Sequence, residues 1–205
     1  MSRAEKFLEK QDTKSSIISA AARLFAEKGY KETTISDIAK LIGLSEASLY
    51  QYFPSKEALL LTIPDVWVRN AIQDINEHLF GIKGAFNKLR KFLWWYIRYI
   101  EREPDIAKVV FLFLKTNRNF MNTDVYENVR EFYSILLQIF EEGISSGEMR
   151  QELNPYLARS VFLGTIEHIV IRWLLKDMSY SLLDNLEAFF EIFLKAFEAK
   201  DEKGS

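Results

Sequence analysis

The stretch Thr34-Ile-Ser-Asp-Ile-Ala-Lys-Leu-Ile-Gly-Leu-Ser-Glu-Ala-Ser-Leu-Tyr-Gln-Tyr52 decides how the rest of this 205-residue chain is read. Thr34 followed three residues later by Asp37 forms a capping box: the hydroxyl accepts the N3 amide and the carboxylate reaches back to the cap. A short helix therefore runs to Ile42. Gly43 stands where the turn needs a positive φ, and Ser45 caps a second short helix from Glu46 to about Phe53. Ala39 is small enough for the second helix to approach closely, and Ile42, Leu44 and Leu49 fill the space between the two. The outward residues of the second helix are then Glu46, Ala47, Ser48, Gln51 and part of Tyr50. Small and hydroxyl side chains of this kind suit close approach to a major groove, with neighbouring groups holding phosphates. Glu46 fits a cytosine amino group or simply adds charge to the helix N-terminus. An ordinary helical hairpin has the same spacing, so spacing alone leaves a role without DNA open.

Upstream, Thr13 or Asp12 reads as the cap of a helix to about Lys28, with Ile17, Ala21, Leu24 and Phe25 on one stripe and Gly29 as its stop. Residues 1–12 are expected to be an extended arm or a frayed helix. Downstream, Pro54-Ser55 starts a fourth helix. Pro64 interrupts a pattern that otherwise runs from Lys56 to Phe80, which predicts a kink or break. Gly81 and Gly84 flank a turn. Longer helices are then expected over about 85–102, from Pro104 to near Arg118 or Asn119, from Asn122-Thr123 to about Ser145, from Asn154-Pro155 to about Lys176, and over roughly 181–199. The predicted fold class is all-α with about nine helices: a three-helix helix-turn-helix domain over residues 1–60, a larger helical domain over 61–200 and a solvated tail at 201–205.

Composition agrees with long helices around a real core. Nearly half the chain is apolar (48%), and only four prolines and eight glycines punctuate it, which excludes disordered and fibrous classes. A formal net charge of −2 gives no global sign of nucleic-acid binding. Residues 1–64 carry nine Lys/Arg against eight Asp/Glu while the remainder is acidic, so the DNA argument rests on the motif and not on charge. The absence of cysteine removes disulfides, thiolate metal sites and cysteine nucleophiles. His78 and His168 lie far apart in the sequence, so no metal and no resident cofactor are expected. No Ser-His-Asp order or phosphate-binding glycine loop points to an enzyme. The polar N-terminus is unlike a signal peptide and no apolar run reaches membrane-spanning length, so the expectation is a cytoplasmic protein with no membrane contact.

The segment from Ile35 to Leu59, ending Leu49-Tyr-Gln-Tyr-Phe-Pro-Ser-Lys-Glu-Ala-Leu59, resembles the signature of the TetR family of bacterial repressors. So does Ala20-Ala-Ala-Arg-Leu-Phe-Ala-Glu-Lys-Gly-Tyr30, together with Thr33-Thr34. The resemblance covers about the first 60 residues and implies a role for each matched position. Thr34 would cap the first helix of the motif and donate to a phosphate. Ser45, Glu46, Ala47 and Ser48 would face the groove of double-stranded operator DNA, with Gln51 nearby. Tyr50 and Tyr52 would touch the backbone or brace the motif, and Lys56 would pair with a phosphate at the start of the next helix.

Beyond residue 65 aromatics crowd the pattern. Phe92, Trp94, Trp95, Tyr96 and Tyr99 fall on one helix, too many for a single buried stripe, and Phe111, Phe113, Phe120, Phe132, Tyr133 and Phe140 follow. Such rings either pack the gaps between long helices or line an apolar cavity. The helix from Pro155 to Lys176 is apolar on more than one face and must bury a second one. With the last helix it can form a four-helix interface across a two-fold, as the resemblance also implies; the candidate homodimer contacts are Gly164, His168, Arg172, Leu186 and Phe190. Glu167 and Arg172 either pair across that interface or serve a ligand.

The second half is similar, more narrowly, to the FadR-like branch of the family, through Leu112–Phe120, Glu142–Arg150 and Leu157–His168. Members of that branch repress fatty-acid degradation genes and respond to long-chain acyl-CoA. The similarity implies an acyl tunnel near Trp95, Tyr99, Phe111 and Phe162, with Lys115 and Arg118 on the CoA phosphates and Glu167 as a further polar contact. The expected function is a ligand-responsive repressor released from its operator by an apolar effector. The alternatives are a multidrug sensor for aromatic or cationic compounds, and a ligand-independent DNA-binding protein with a protein partner.

Overall fold

A computed structural model describes residues 3–115 and 118–199, the side chains of residues 3–9, 118, 119 and 185 excepted. The described residues form two compact units. The first comprises the chain up to Val68 together with Glu103–Tyr126, and the second comprises Arg69–Arg102 with the residues from Glu127 onward. Residues 103–126, read from the sequence as part of the larger domain, thus group with the N-terminal helices.

In the first unit, α1 spans Arg3–Lys28, α2 Ile35–Leu41 and α3 Glu46–Tyr50, and α4 (Lys56–Leu79) starts here and runs on into the second unit. The predicted stripe Ile17, Ala21, Leu24 and Phe25 is buried, as are Ile38, Leu49, Phe53, Leu59 and Ile63. Of the two readings of residues 1–12, an extended arm or a helix, the chain is helical from Arg3 onward. Asp12 and Thr13 are therefore interior residues and not caps; the Asp12 carbonyl accepts from Ser16 Oγ at 2.9 Å, as an i,i+4 pair within a helix does. The α1 C-terminus ends at Gly29 with φ +87°, where a residue without Cβ takes the left-handed conformation at no cost. Pro64 sits inside α4, which continues through it unbroken.

Helix α6 is short, Pro104–Lys108, and is followed by a π-helical segment, Val109–Leu114. The sequence predicted one α-helix to residue 118 or 119. The structure corrects this: Lys115 N–H donates to the Val110 carbonyl at 3.1 Å, five residues back. The wider turn lets Val109, Val110, Phe111 and Leu114 all be buried, a denser apolar run than one face of a regular α-turn accommodates.

The second unit holds α5 (Ala85–Arg102), α7 (Asp124–Ser145, whose first residues belong to the other unit), α8 (Pro155–Leu175) and α9 (Leu186–Phe197). Two aromatic clusters fill it. Phe92, Trp95, Tyr96 and Phe132 have ring centroids 5.7–6.3 Å apart. Phe140, Phe162, Phe193 and Phe197 form the other, at 5.0–6.0 Å. Polar groups close the helix ends. Asn154 Oδ1 accepts from Tyr156 and Leu157 amides at 3.0 and 3.1 Å, and the Glu148 carboxylate, 63 residues away in sequence, accepts the Ala85 amide of α5 at 2.9 Å. Among the described residues the only extended pairing is an isolated bridge between Met149 and Glu198, and no helix is long and apolar enough to cross a membrane.

Candidate nucleic-acid interface

The capping box predicted at the start of α2 is present in full. Thr34 Oγ1 accepts the Asp37 amide at 3.0 Å, while the Thr34 amide and hydroxyl both donate to Asp37 Oδ2, at 3.0 and 2.8 Å. These bonds, the backbone one first, hold the Asp37 carboxyl below its ordinary value, assisted by Lys28 and Lys40. The Thr34 hydroxyl hydrogen is thereby engaged, so a phosphate has to compete with Asp37 for it. Gly43 takes the inter-helix turn at φ +71°. Ser45 Oγ then accepts the Ser48 amide at 3.1 Å and lies 2.8 Å from Ser48 Oγ. Leu49 is fully buried beneath α3 and anchors it; Ile42 and Leu44 are half-buried.

Ser45, Glu46, Ala47, Tyr50 and Gln51 are exposed, and Ser48 and Tyr52 are half-buried. One outward face of α3 therefore carries small, hydroxyl and amide groups around an exposed tyrosine. Such a face can meet base edges at close range.

Lys56 is different. Its ammonium donates to the carbonyls of Tyr30 and Thr33, each at 2.8 Å, with the Lys31 carbonyl at 3.5 Å. It also sits 4.5 Å from the centroid of the Tyr30 ring. Its donors thus face carbonyls of the chain itself, and the phosphate contact that the resemblance implies would have to draw the ammonium away from them. Sequence reasoning could not see this, because the acceptors lie 23 to 26 residues upstream. Thr33, the one fully buried polar residue of this region, was missed for a similar reason; its hydroxyl hydrogen bonds with the carbonyls of Leu24 and Gly29 at the end of α1.

The residues assigned to an effector divide between the units. In the first, Phe111 is buried against Trp67, centroids 6.5 Å apart, and Lys115 lies 4.8 Å over the Phe111 ring. The Arg118 side chain lies outside the described residues. In the second, Trp95 stacks on Tyr99 at 5.1 Å and donates its indole N–H to Asp74 Oδ2 at 2.7 Å, a charge-assisted bond from α5 to α4 that sequence spacing did not reveal. Phe162 packs with Phe140 and Phe193. Glu167 accepts weakly from the Tyr133 hydroxyl at 3.5 Å. Burial first, then the nearby Glu167 and Tyr133, push the Tyr96 hydroxyl well above its usual range, so it stays protonated and can donate. A cavity of about 70 Å³ in this unit is lined by Leu93, Ile97, Ile166, Ile169 and Phe189, with Tyr180 and Ser181 also on its wall.

Of the proposed dimer contacts, Gly164, His168 and Arg172 are exposed on α8, together with Leu157, Val161 and Leu175. Leu186 and Phe190 are not available to a partner: they are 8% and 1% exposed within the chain's own core. The rotation of α9 turns Ala188, Ile192 and Ala196 outward instead.

Comparison with known proteins supplies a context for these features. Residues 17–63 match the model of bacterial regulatory proteins of the tetR family, and residues 67–196 match that of the YsiA-like protein C-terminal region. The fatty acid metabolism regulator protein of Bacillus subtilis is 28% identical over 184 residues, 90% of this chain and 95% of that protein. The crystal structure of the transcriptional regulator FadR from Bacillus subtilis in complex with stearoyl-CoA superposes with a TM-score of 0.82 at 29% identity, covering 88% of this chain and 97% of that one. The transcriptional repressor KstR2 of Mycolicibacterium smegmatis is 25% identical over 166 residues, 77% of each chain. Because the match extends through the C-terminal helices as well as the helix-turn-helix, the chain belongs to the tetR family of bacterial regulatory proteins and is a transcription regulator, not an enzyme.

Proposed function

We propose that the chain acts as a homodimeric repressor that reads a two-fold operator through α3 and leaves it when a long-chain acyl-CoA binds the second unit. The observation that carries the DNA reading is the outward face of α3, where Ala47, Ser48 and Gln51 stand beside exposed Tyr50 on a helix anchored by buried Leu49. The effector class is supported by the likeness to the stearoyl-CoA complex of FadR. The stacked Trp95 and Tyr99 rings are the proposed apolar surface for an acyl chain, and Glu167 remains the proposed polar contact. Repression as the sign of control follows the printed description of KstR2. A second copy is the proposed cover for the α8 stripe of Leu157, Val161, Gly164, His168, Arg172 and Leu175, where large apolar side chains stand more than half exposed.

The test is fluorescence anisotropy on a labelled duplex that the wild-type protein has enriched from a random-sequence pool. Stearoyl-CoA is expected to release the duplex, and free coenzyme A is not. Release by an aromatic cation such as rhodamine 6G but not by stearoyl-CoA makes the chain a drug sensor. Release by neither removes the ligand-responsive reading.

A further inference from the structure

We propose that Lys56 is a positioning residue for DNA binding: an internal clamp that fixes the α1–α2 turn to the start of α4 and thereby sets the orientation of the helix-turn-helix. This rests on the DNA-binding reading above but makes a separate claim about the free protein.

An ammonium group has three N–H donors and no acceptor. In Lys56 these donors face three carbonyls of one turn, those of Tyr30, Lys31 and Thr33, and the Tyr30 ring lies 4.5 Å away. Half-burying an ammonium is costly unless such dipoles replace its water, and here carbonyl oxygens and the negative face of an aromatic ring do so. The site is supported from below. Tyr30 meets the buried Phe25 ring edge-on at 5.4 Å, and the Thr33 hydroxyl is bonded to the end of α1.

The clamp is placed where it governs the reader. Thr33 supplies one of the two close carbonyls, and the next residue, Thr34, is the N-cap of α2. Fixing the Thr33–Thr34 peptide fixes the first turn of α2, and α2 packs on α3. Lys56 is itself the first residue of α4, so its side chain joins two elements whose relative placement decides whether α3 can enter a groove.

A phosphate contact and an internal clamp respond differently to substitution. Arginine is fully competent on a phosphate, but its planar fork does not reproduce a compact ammonium enclosed by carbonyls. Losing a phosphate contact also lowers the salt dependence of binding by about one unit, and losing a clamp does not. The experiment compares wild type with Lys56→Met, Lys56→Arg and Tyr30→Leu. It measures amide hydrogen exchange over residues 29–37 in the free protein. It also measures affinity at several salt concentrations for the enriched duplex, at a temperature where circular dichroism shows every variant folded. Both lysine variants are expected to accelerate exchange in that segment and to bind about tenfold more weakly with the wild-type salt slope. Tyr30→Leu shifts both readouts in the same direction by less. Unchanged exchange, full affinity in Lys56→Arg, or a slope reduced by one in Lys56→Met overturns the clamp. If Lys56→Met does not fold, Lys56→Arg and Tyr30→Leu decide it by the same readouts. If the wild type enriches no duplex, the DNA reading fails and the exchange arm alone still accepts or rejects the clamp.

Discussion

Asp37 shows how one side chain couples the reader's architecture to pH. Its carboxyl is held below the ordinary carboxylate value by hydrogen bonds from Thr34. Such a group contributes stability that is present above the unfolded pKa of about 3.9 and is lost as pH falls through the lowered folded value. Thermal melts of the wild type are therefore expected to lose stability below about pH 4, and Asp37→Asn, which cannot ionise, to show a shallower fall over the same range. A melt that falls equally in both proteins would assign the acid sensitivity elsewhere. Trp95 offers a second residue-scale prediction. Replacing it with Phe keeps an aromatic ring, though a smaller one, in the cluster and removes the donor to Asp74, whose side chain is 31% exposed. A loss of about 1–2 kcal/mol in urea unfolding is expected, less than for deletion of a fully buried partner because solvent reaches Asp74. An unchanged midpoint would show that the bond is not formed in solution. Neither the Asp74–Trp95 bond nor the bonds from Lys56 to the Tyr30 and Thr33 carbonyls were legible in the sequence, because residues 21 to 26 apart share no local period that would announce their contact.

At the scale of elements, glycines separate conformational from steric demands. Gly43 has φ +71° and nothing within 4 Å of a Cβ built there. Gly43→Ala is therefore expected to cost only backbone strain, about 1 kcal/mol, in urea unfolding. Gly143 lies inside α7 with ordinary φ, but an added Cβ would come within 2.7 Å of Met149 Cε and Sδ and 2.8 Å of the Ala85 Cβ. Ala85 and the α7 backbone cannot both give way as a flexible chain end can, so Gly143→Ala is expected to cost about 1–3 kcal/mol. A smaller cost at Gly143 than at Gly43 would contradict the steric reading of Gly143. The short helices α2 and α3 were legible because their signals are local: a capping box, a turn glycine, a hydroxyl cap. The π-segment at Val109–Leu114 was not, since an apolar run with no breaker looks the same in an α- or a π-turn until its burial is known. Nor did Pro64 end α4, a case where the surrounding chain overrides a local preference.

For the whole molecule the proposed second copy supplies the decisive predictions. Val161 is 54% and Ile192 is 67% exposed, so charging either does not disturb the chain's own core. Val161→Glu and Ile192→Glu are each expected to shift the protein toward monomer in light scattering and to abolish operator binding without lowering the monomer's helix content. A dimer that survives both substitutions would move the interface off α8 and α9. That α8 needs two apolar neighbours was legible from its composition, but which α9 residues face outward was not. Leu186 and Phe190 look equivalent to Ile192 in an apolar helix, and only packing against the rest of the unit turns them inward. The most direct test of a paired α3 reader is hydroxyl-radical footprinting of the wild-type protein on its enriched duplex. Two protected windows on one face of the DNA are expected, their centres separated by about 10–10.5 base pairs or a multiple of that. A single window, or protection without that helical phase, would contradict the paired reader.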